Sequence, residues 1–124
     1  RVTLSPTLVT RLDGSAYAVL STPGGDNQEQ SLIQVLLNTL LFRMNSEQAI
    51  EAPRARLTDG REVTLETRVD AKVHVELRER GHDLTSGPDW TMKVGGMQGV
   101  AVDPATGTFT GGCDPRRDGY CVPV

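Results

Sequence analysis

Aromatic side chains are scarce in this chain: phenylalanine, tyrosine and tryptophan make up 4% of its 124 residues. Tyr17, Phe42, Trp90, Phe109 and Tyr120 are all there are. The core must therefore rest on Leu, Val, Ile and Ala, which is feasible but modest at this length. Histidine is rarer still. His74 and His82 stand at no metal-ligand spacing from Cys113 or Cys121, so no metal site is expected, and no spacing supports a Cys–His catalytic pair. The two cysteines lie close enough in sequence to close a short loop. Two thiols do not make a disulfide framework, however, and they read as reduced. There is no apolar run long enough to span a bilayer. Arg1 begins directly in a strand-like pattern, as a cut or processed end would, rather than in a signal peptide. The formal charge is −3, without a basic patch or a long like-charge block. Neither nucleic acid nor a membrane is expected as partner. The length fits a single domain over 1–124, or a portion of a larger one.

What the chain does have is clear punctuation. Two β-prone runs, 7–12 and 16–21, flank Asp13-Gly14, a strong hairpin signal. A helical pattern over 27–43 carries Leu32, Ile33, Val35, Leu36, Leu37, Leu40 and Leu41. These cover most of its surface, which predicts burial on more than one side. Asp26 and Asn27 are natural caps for it. Asn45-Ser46 reads as a stop and a new cap, followed by a short helix from Glu47 to Glu51 that Pro53 ends. Short strands at 54–57 and 63–65 flank Asp59-Gly60. Residues 70–80 read as an exposed helix with Asp70 near its start and Gly81 just past its end. Its apolar face, Val73 and Leu77, is narrow, and His74 beside it reads as a boundary residue. Val94 to Met97 leads into a final hairpin, 99–103 with 108–110. The segment from Cys113 onward is expected to be irregular. Asp114 and Asp118, among Arg116 and Arg117, read as salt-bridged loop residues rather than an acid–base pair. The order hairpin, helix, strands, helix, hairpin predicts an α+β fold with mostly antiparallel pairing.

One stretch has chemical potential of its own. The strand ending at Ser21 runs through Thr22-Pro23-Gly24-Gly25-Asp26 into the long helix. Consecutive glycines open backbone conformations closed to other residues and allow close approach. The first N–H groups of a helix lack internal partners and carry partial positive charge. Such a turn suits a carboxylate, a phosphate or a developing oxyanion. Taken alone it reads more simply as a plain strand-to-helix turn with an Asp cap.

Three separated segments resemble the C-terminal part of the gamma-glutamyltransferase family. They are Leu4-Ser5-Pro6-Thr7-Leu8-Val9; Ser21 to Asp26 with Gln34 to Asn38 and Glu51-Ala52-Pro53-Arg54; and Gly95-Gly96-Met97-Gln98 with Asp114-Pro115-Arg116-Arg117-Asp118-Gly119. They occur in order across nearly the whole chain, and the Asp26 to Gln30 variant is similar to a bacterial transferase-like branch. The resemblance implies part of an N-terminal-nucleophile hydrolase αββα sandwich, in which self-cleavage exposes a Thr. That Thr attacks a γ-glutamyl amide such as glutathione, using its own α-amine as base, and an acyl-enzyme passes the glutamyl group to water or an amine. No cofactor is implied.

Residue by residue, Gly24 and Gly25 match the glycines whose N–H groups form the family's oxyanion hole. Thr3 falls where the family has the second of two serines that hold the substrate α-carboxylate. Val2 falls at the first and cannot donate a hydrogen bond. The family's nucleophile matches nothing here, because Thr3 is internal and lacks a free amine. The implied partners are a γ-glutamyl compound or related amide, and the rest of the enzyme, without which the chain is expected to be inactive. Two other readings are a non-catalytic domain that self-associates and a family member acting as an acylase on another amide.

Overall fold

The computed structural model describes residues 3–123. Strands β1 (Thr7–Thr10) and β2 (Ala16–Ser21) form the expected hairpin. The first strand stops two residues short of expectation. Arg11 already belongs to the turn, its N–H donating to the Ser15 carbonyl at 2.8 Å. Inside that turn the Asp13 carboxylate accepts the Ser15 N–H at 2.9 Å.

The long helix α1 spans Gln28–Leu40 and is preceded by a 3₁₀ turn, Gly25–Asn27. It ends before the predicted boundary because the chain turns out at Arg43, a non-glycine residue at φ 60°. The expected side-chain cap is absent: Asn27 occupies the cap position without capping, and its amide donates to Ser31 Oγ at 2.7 Å instead. Helix α2 (Ser46–Glu51) begins with a full capping box. Asn45 accepts the Gln48 N–H at 2.8 Å, and Gln48 Oε1 accepts the Asn45 N–H at 3.2 Å. Two orphan donors are thereby satisfied.

Strands β3 (Ala55–Asp59) and β4 (Glu62–Glu66) pair antiparallel. Helix α3 (Ala71–Glu79) follows, capped by Asp70, with His74 half-buried on it. The sequence pattern misses what comes next. Asp83–Gly87 is a strand, β5, parallel to β4. Leu84 is its one large apolar residue, so it shows no alternation. Helix α3 is thus the crossover of a β-α-β unit rather than a bridge between hairpins.

The expected extension at Val94 to Met97 is also corrected. Met92–Val94 is a 3₁₀ turn, and Gly95 to Met97 are buried but unladdered. Strand β6 (Gln98–Val102) starts after them and pairs with β7 (Phe109–Cys113). Cys113 closes that strand instead of opening the irregular tail.

Two sheets result: β1-β2-β6-β7, wholly antiparallel, and β3-β4-β5. Helices α1 and α2 cover one face of the four-stranded sheet. Leu20, Leu32, Val35, Ala49, Ile50 and Met97 form the core there. Ile50 presses down where β6 and β7 offer Gly99 and Gly112. Burying an aliphatic side chain of this size is worth about 1.5–3 kcal/mol. Helix α1 buries Gln28, Ser31, Leu32 and Val35, while Ile33, Leu37 and Leu40 remain exposed. On the opposite sheet face Leu8, Val19 and Val100 form a row in register, and all three are exposed. One helical layer on one sheet is half of an αββα sandwich, with apolar surface on both outer sides.

Candidate functional site

The Gly24-Gly25 turn is solvent-facing above and tied down below. Gly24 has φ 140° and Gly25 φ 57°, conformations in which a Cβ is disfavoured. Among the described residues, neither glycine N–H forms a hydrogen bond. Beneath them the hydroxyls of Thr22 and Ser31 are engaged, and one buried side-chain oxygen is not. Thr22, 3% exposed, accepts the Gly96 N–H at 3.0 Å through its hydroxyl oxygen and donates to the Pro23 carbonyl at 2.9 Å. Ser31 Oγ donates to the Val94 carbonyl at 2.6 Å. That oxygen is Asn27 Oδ1, buried and unpartnered among the described residues. Gly95, at φ 93°, lies so close that a Cβ there would sit 2.6 Å from Thr22 Oγ1 and 2.9 Å from Ser31 Oγ.

Thr3 is exposed, and its carbonyl accepts a hydrogen bond from Gln28 Nε2. Gln28 Oε1 in turn accepts from Ser5 Oγ at 2.6 Å. Buried Gln28, in the first turn of α1 and three residues after Gly25, thus ties the Thr3–Ser5 segment to the start of that helix. Val2 lies outside the described residues.

The strap below the turn leads to a buried ionic cluster. Met97 follows Gly96 and donates its N–H to Asp114 Oδ2 at 2.8 Å, while its carbonyl accepts the Asp114 N–H at 3.0 Å. Asp114 pairs with Arg54 Nη2 and with Arg116 Nη1. Arg116 grips Glu66 with two nitrogens, Nε at 2.6 Å and Nη2 at 2.5 Å. Glu66 also accepts the backbone N–H groups of Arg54 and Thr91, both at 3.0 Å. Arg68 completes the edge, pairing with Glu66 at 3.0 Å and stacking 3.4 Å over Trp90.

Burial alone would raise the Glu66 and Asp114 carboxyls. The Arg116 hydrogen bond at Glu66 and the Arg54 charge at Asp114 hold both below the ordinary carboxylate range. Burial pulls the Arg54 guanidinium down, against the pull of Asp114. Burial also opposes the charge on Arg116, but its bond to Glu66 and the Asp114 charge leave it raised. Arg54 Nε and Nη1 find no acceptor among the described residues. Asp114 is the salt-bridged residue anticipated, and it is fully buried rather than on a loop surface; Asp118 is exposed.

Glu66, Gln28 and Ser31 carry no site signal in sequence, and Thr22 is marked only as part of the glycine turn, because each is a common polar residue whose role appears only when distant segments meet. A usable signal was the density of arginines at 54, 68 and 116 in a chain with a small core. The cysteine sulfurs lie 2.9 Å apart, and both are free thiols. The hydrogen bond to Cys121 and burial push the Cys113 thiol up to about 11.

The model of the family described as Gamma-glutamyltranspeptidase matches residues 1–124. The acylase ACY 1 proenzyme of Pseudomonas sp. (strain V22) is 32% identical over 121 residues, covering 98% of this chain and 21% of that protein. The glutathione hydrolase proenzyme of Bacillus subtilis (strain 168) is 26% identical, covering 98% of this chain and 20% of that protein. Among solved structures, the gamma-glutamyltranspeptidase of Pseudomonas nitroreducens complexed with L-DON superposes with a TM-score of 0.84 at 30% identity. It covers all of this chain and 63% of its own. The chain therefore spans about a fifth of the length of these curated relatives.

Proposed function

The chain belongs to the gamma-glutamyltranspeptidase family, and from that premise we propose that it is the oxyanion-stabilising part of an N-terminal-nucleophile amide hydrolase or transferase. The nucleophilic Thr and its α-amine come from outside these residues. Attack of the Thr hydroxyl on an amide carbonyl makes a tetrahedral intermediate with charge on the former carbonyl oxygen. The N–H groups of Gly24 and Gly25 face that oxygen. They are already oriented, so little reorganisation is needed as the charge develops. The acyl group then passes from Thr to water or to an amine, with the same two donors serving the second tetrahedral intermediate. Thr3, held through Gln28, lies at the acyl-chain end of the site.

The observation behind this reading is the pair of unpaired glycine N–H groups on a turn whose underside is fixed by Thr22, Ser31 and Gly95. The test is hydrolysis of a γ-glutamyl anilide by the complete protein that carries this chain, with residues 1–124 alone as control. Turnover by the complete protein and none by the isolated residues is expected. Turnover by the isolated residues, dependent on Thr3 or a cysteine, would overturn it.

A second reading concerns the acyl group. Val2 stands where the family resemblance puts a carboxylate-binding serine, and one relative is an acylase. With one carboxylate donor lost, the preference for γ-glutamyl over an acyl group lacking the α-carboxylate should shrink. Comparing kcat/KM for γ-glutamyl and butyryl anilides measures it. A strong γ-glutamyl preference that Val2→Ser does not increase would remove this reading.

A further inference from the structure

We infer that Cys113 and Cys121 form a reversible disulfide that clamps the C-terminal tail onto strand β7. The two sulfurs are 2.9 Å apart, closer than unbonded sulfurs comfortably sit and within a short movement of the ~2.05 Å bond. Their approach is not a chance of two mobile side chains. Cys113 ends β7, and Gly111, two residues earlier, shares its sheet face. Cys121 is seated over that face because Gly111 has no side chain: a Cβ at 111 would lie 2.7 Å from Cys121 Sγ. The tail is placed a second time at Gly119, where a Cβ would lie 2.6 Å from Gln98 Nε2. Gln98 is the β6 residue in register with Cys113. From the other end, Asp114 and Arg116 anchor the tail in the ionic cluster. Both sulfurs are thus held by fixed backbone, and the loop between them carries the residues that pair with Arg54 and Glu66.

The oxidant this step requires is a low-molecular-weight disulfide, RSSR. Cys121 is exposed and Cys113 half-buried, so Cys121 reacts first. Its thiolate attacks RSSR, forming a Cys121–S–S–R bond and expelling one RS⁻. Cys113 then gives up its proton and attacks Cys121 Sγ, expelling the second RS⁻. Both thiols are oxidised by two electrons in total, and RSSR is reduced to two RSH, which carry the protons. Closing the short loop removes conformations that the segment gains when it opens locally. The clamp therefore suppresses local opening around Asp114–Arg116, independently of which amide the enzyme cleaves.

The experiment uses the complete protein, incubated with cystamine and then with dithiothreitol. Peptide mapping without reduction should find the 113–121 cross-link after cystamine and lose it after dithiothreitol. Amide exchange over residues 114–121 should slow by roughly tenfold or more in the oxidised form. In Cys113→Ser the cystamine adduct should accumulate on Cys121, whereas Cys121→Ser should leave Cys113 unmodified. A stable cystamine adduct on wild-type Cys121, a cross-link from Cys121 to a second molecule, or a 113–121 link without slower exchange would each overturn the proposal. The wild-type map needs no variant to fold.

Discussion

Thr22 and Gly96 join segments 74 positions apart: the Thr22 hydroxyl, next to the glycine turn, accepts the Gly96 N–H at 3.0 Å. From Gly96 the backbone passes directly to Met97, whose N–H and carbonyl both bond Asp114. A continuous run of bonded groups therefore connects Gly24 and Gly25 to the Arg54–Asp114–Arg116–Glu66 cluster. The cluster is thereby tied to the turn through the Thr22–Gly96 and Met97–Asp114 bonds.

Thr22→Val tests the first link. It keeps the shape, removes the acceptor and leaves a buried N–H unsatisfied. A loss of about 1–3 kcal/mol in urea unfolding is expected, with a parallel fall in kcat, and Thr22→Ser should restore both. Wild-type stability in the Val variant would show that Gly96 finds another acceptor at no cost.

Gly25→Ala separates aim from space. A Cβ at 25 meets nothing within 4 Å, so the whole effect comes from φ 57°. Strain of about 1–2 kcal/mol should relax by turning the N–H. In the complete enzyme kcat should fall toward the ~10²–10³-fold typical of a lost oxyanion donor, with KM little changed. Gly25→Asn, whose side chain tolerates this conformation, should retain much more activity than Ala. Unchanged kcat in the Ala variant would remove Gly25 from the proposed oxyanion hole.

The contrast between these variants reflects how much the sequence revealed. Hairpins at Asp13-Gly14 and Asp59-Gly60, both helix caps at Asn45 and Asp70, and the Gly24-Gly25 turn are written in local chemistry and are found where that chemistry puts them. Strand β5 is not, because its place is set by pairing with β4 and not by its own side chains. Gly95 to Met97 looks like a strand in sequence. The Gly95 N–H instead closes the local 3₁₀ turn onto the Met92 carbonyl, and those of Gly96 and Met97 go to side chains 74 and 17 positions away, partners that no local pattern encodes. The convergence of Arg54, Glu66, Asp114 and Arg116 is likewise long-range. The family resemblance marked two of its segments as related without showing that they meet.

Acid should undo the cluster only below the ordinary carboxylate range. Both carboxyls sit below their ordinary values in the folded state, so their contribution is present above the unfolded-state carboxylate range, about pH 4–4.5, and is lost as pH falls through the folded values. Stability of the complete protein should be flat from pH 7 to about 5 and fall below about 4. Asp114→Asn should cost about 3–5 kcal/mol at pH 7 by stranding buried Arg54, and should make the acid limb shallower. An unchanged acid limb in that variant would place the titrating group elsewhere.

The uncovered apolar faces predict how residues 1–124 behave when expressed alone. Leu8, Val19 and Val100 line one side, and Ile33, Leu37 and Leu40 the other. In the complete enzyme the proposed occupant of the helix face and of the Leu8–Val19 side of the sheet is the remainder of the sandwich, while the β7 side of that sheet face already carries the tail with Cys121. Without it, contiguous apolar surface of this kind drives association. The isolated residues should scatter light as a dimer or larger and bind an apolar dye. Val19→Thr with Val100→Thr should weaken association through the sheet face, while Leu37→Lys should weaken it through the helix face. Whichever variant lowers the mass identifies the face the copies share. A clean monomer that binds no dye would mean the outer faces are not the sticky surfaces their composition implies, and would remove the argument that the missing layers cover them.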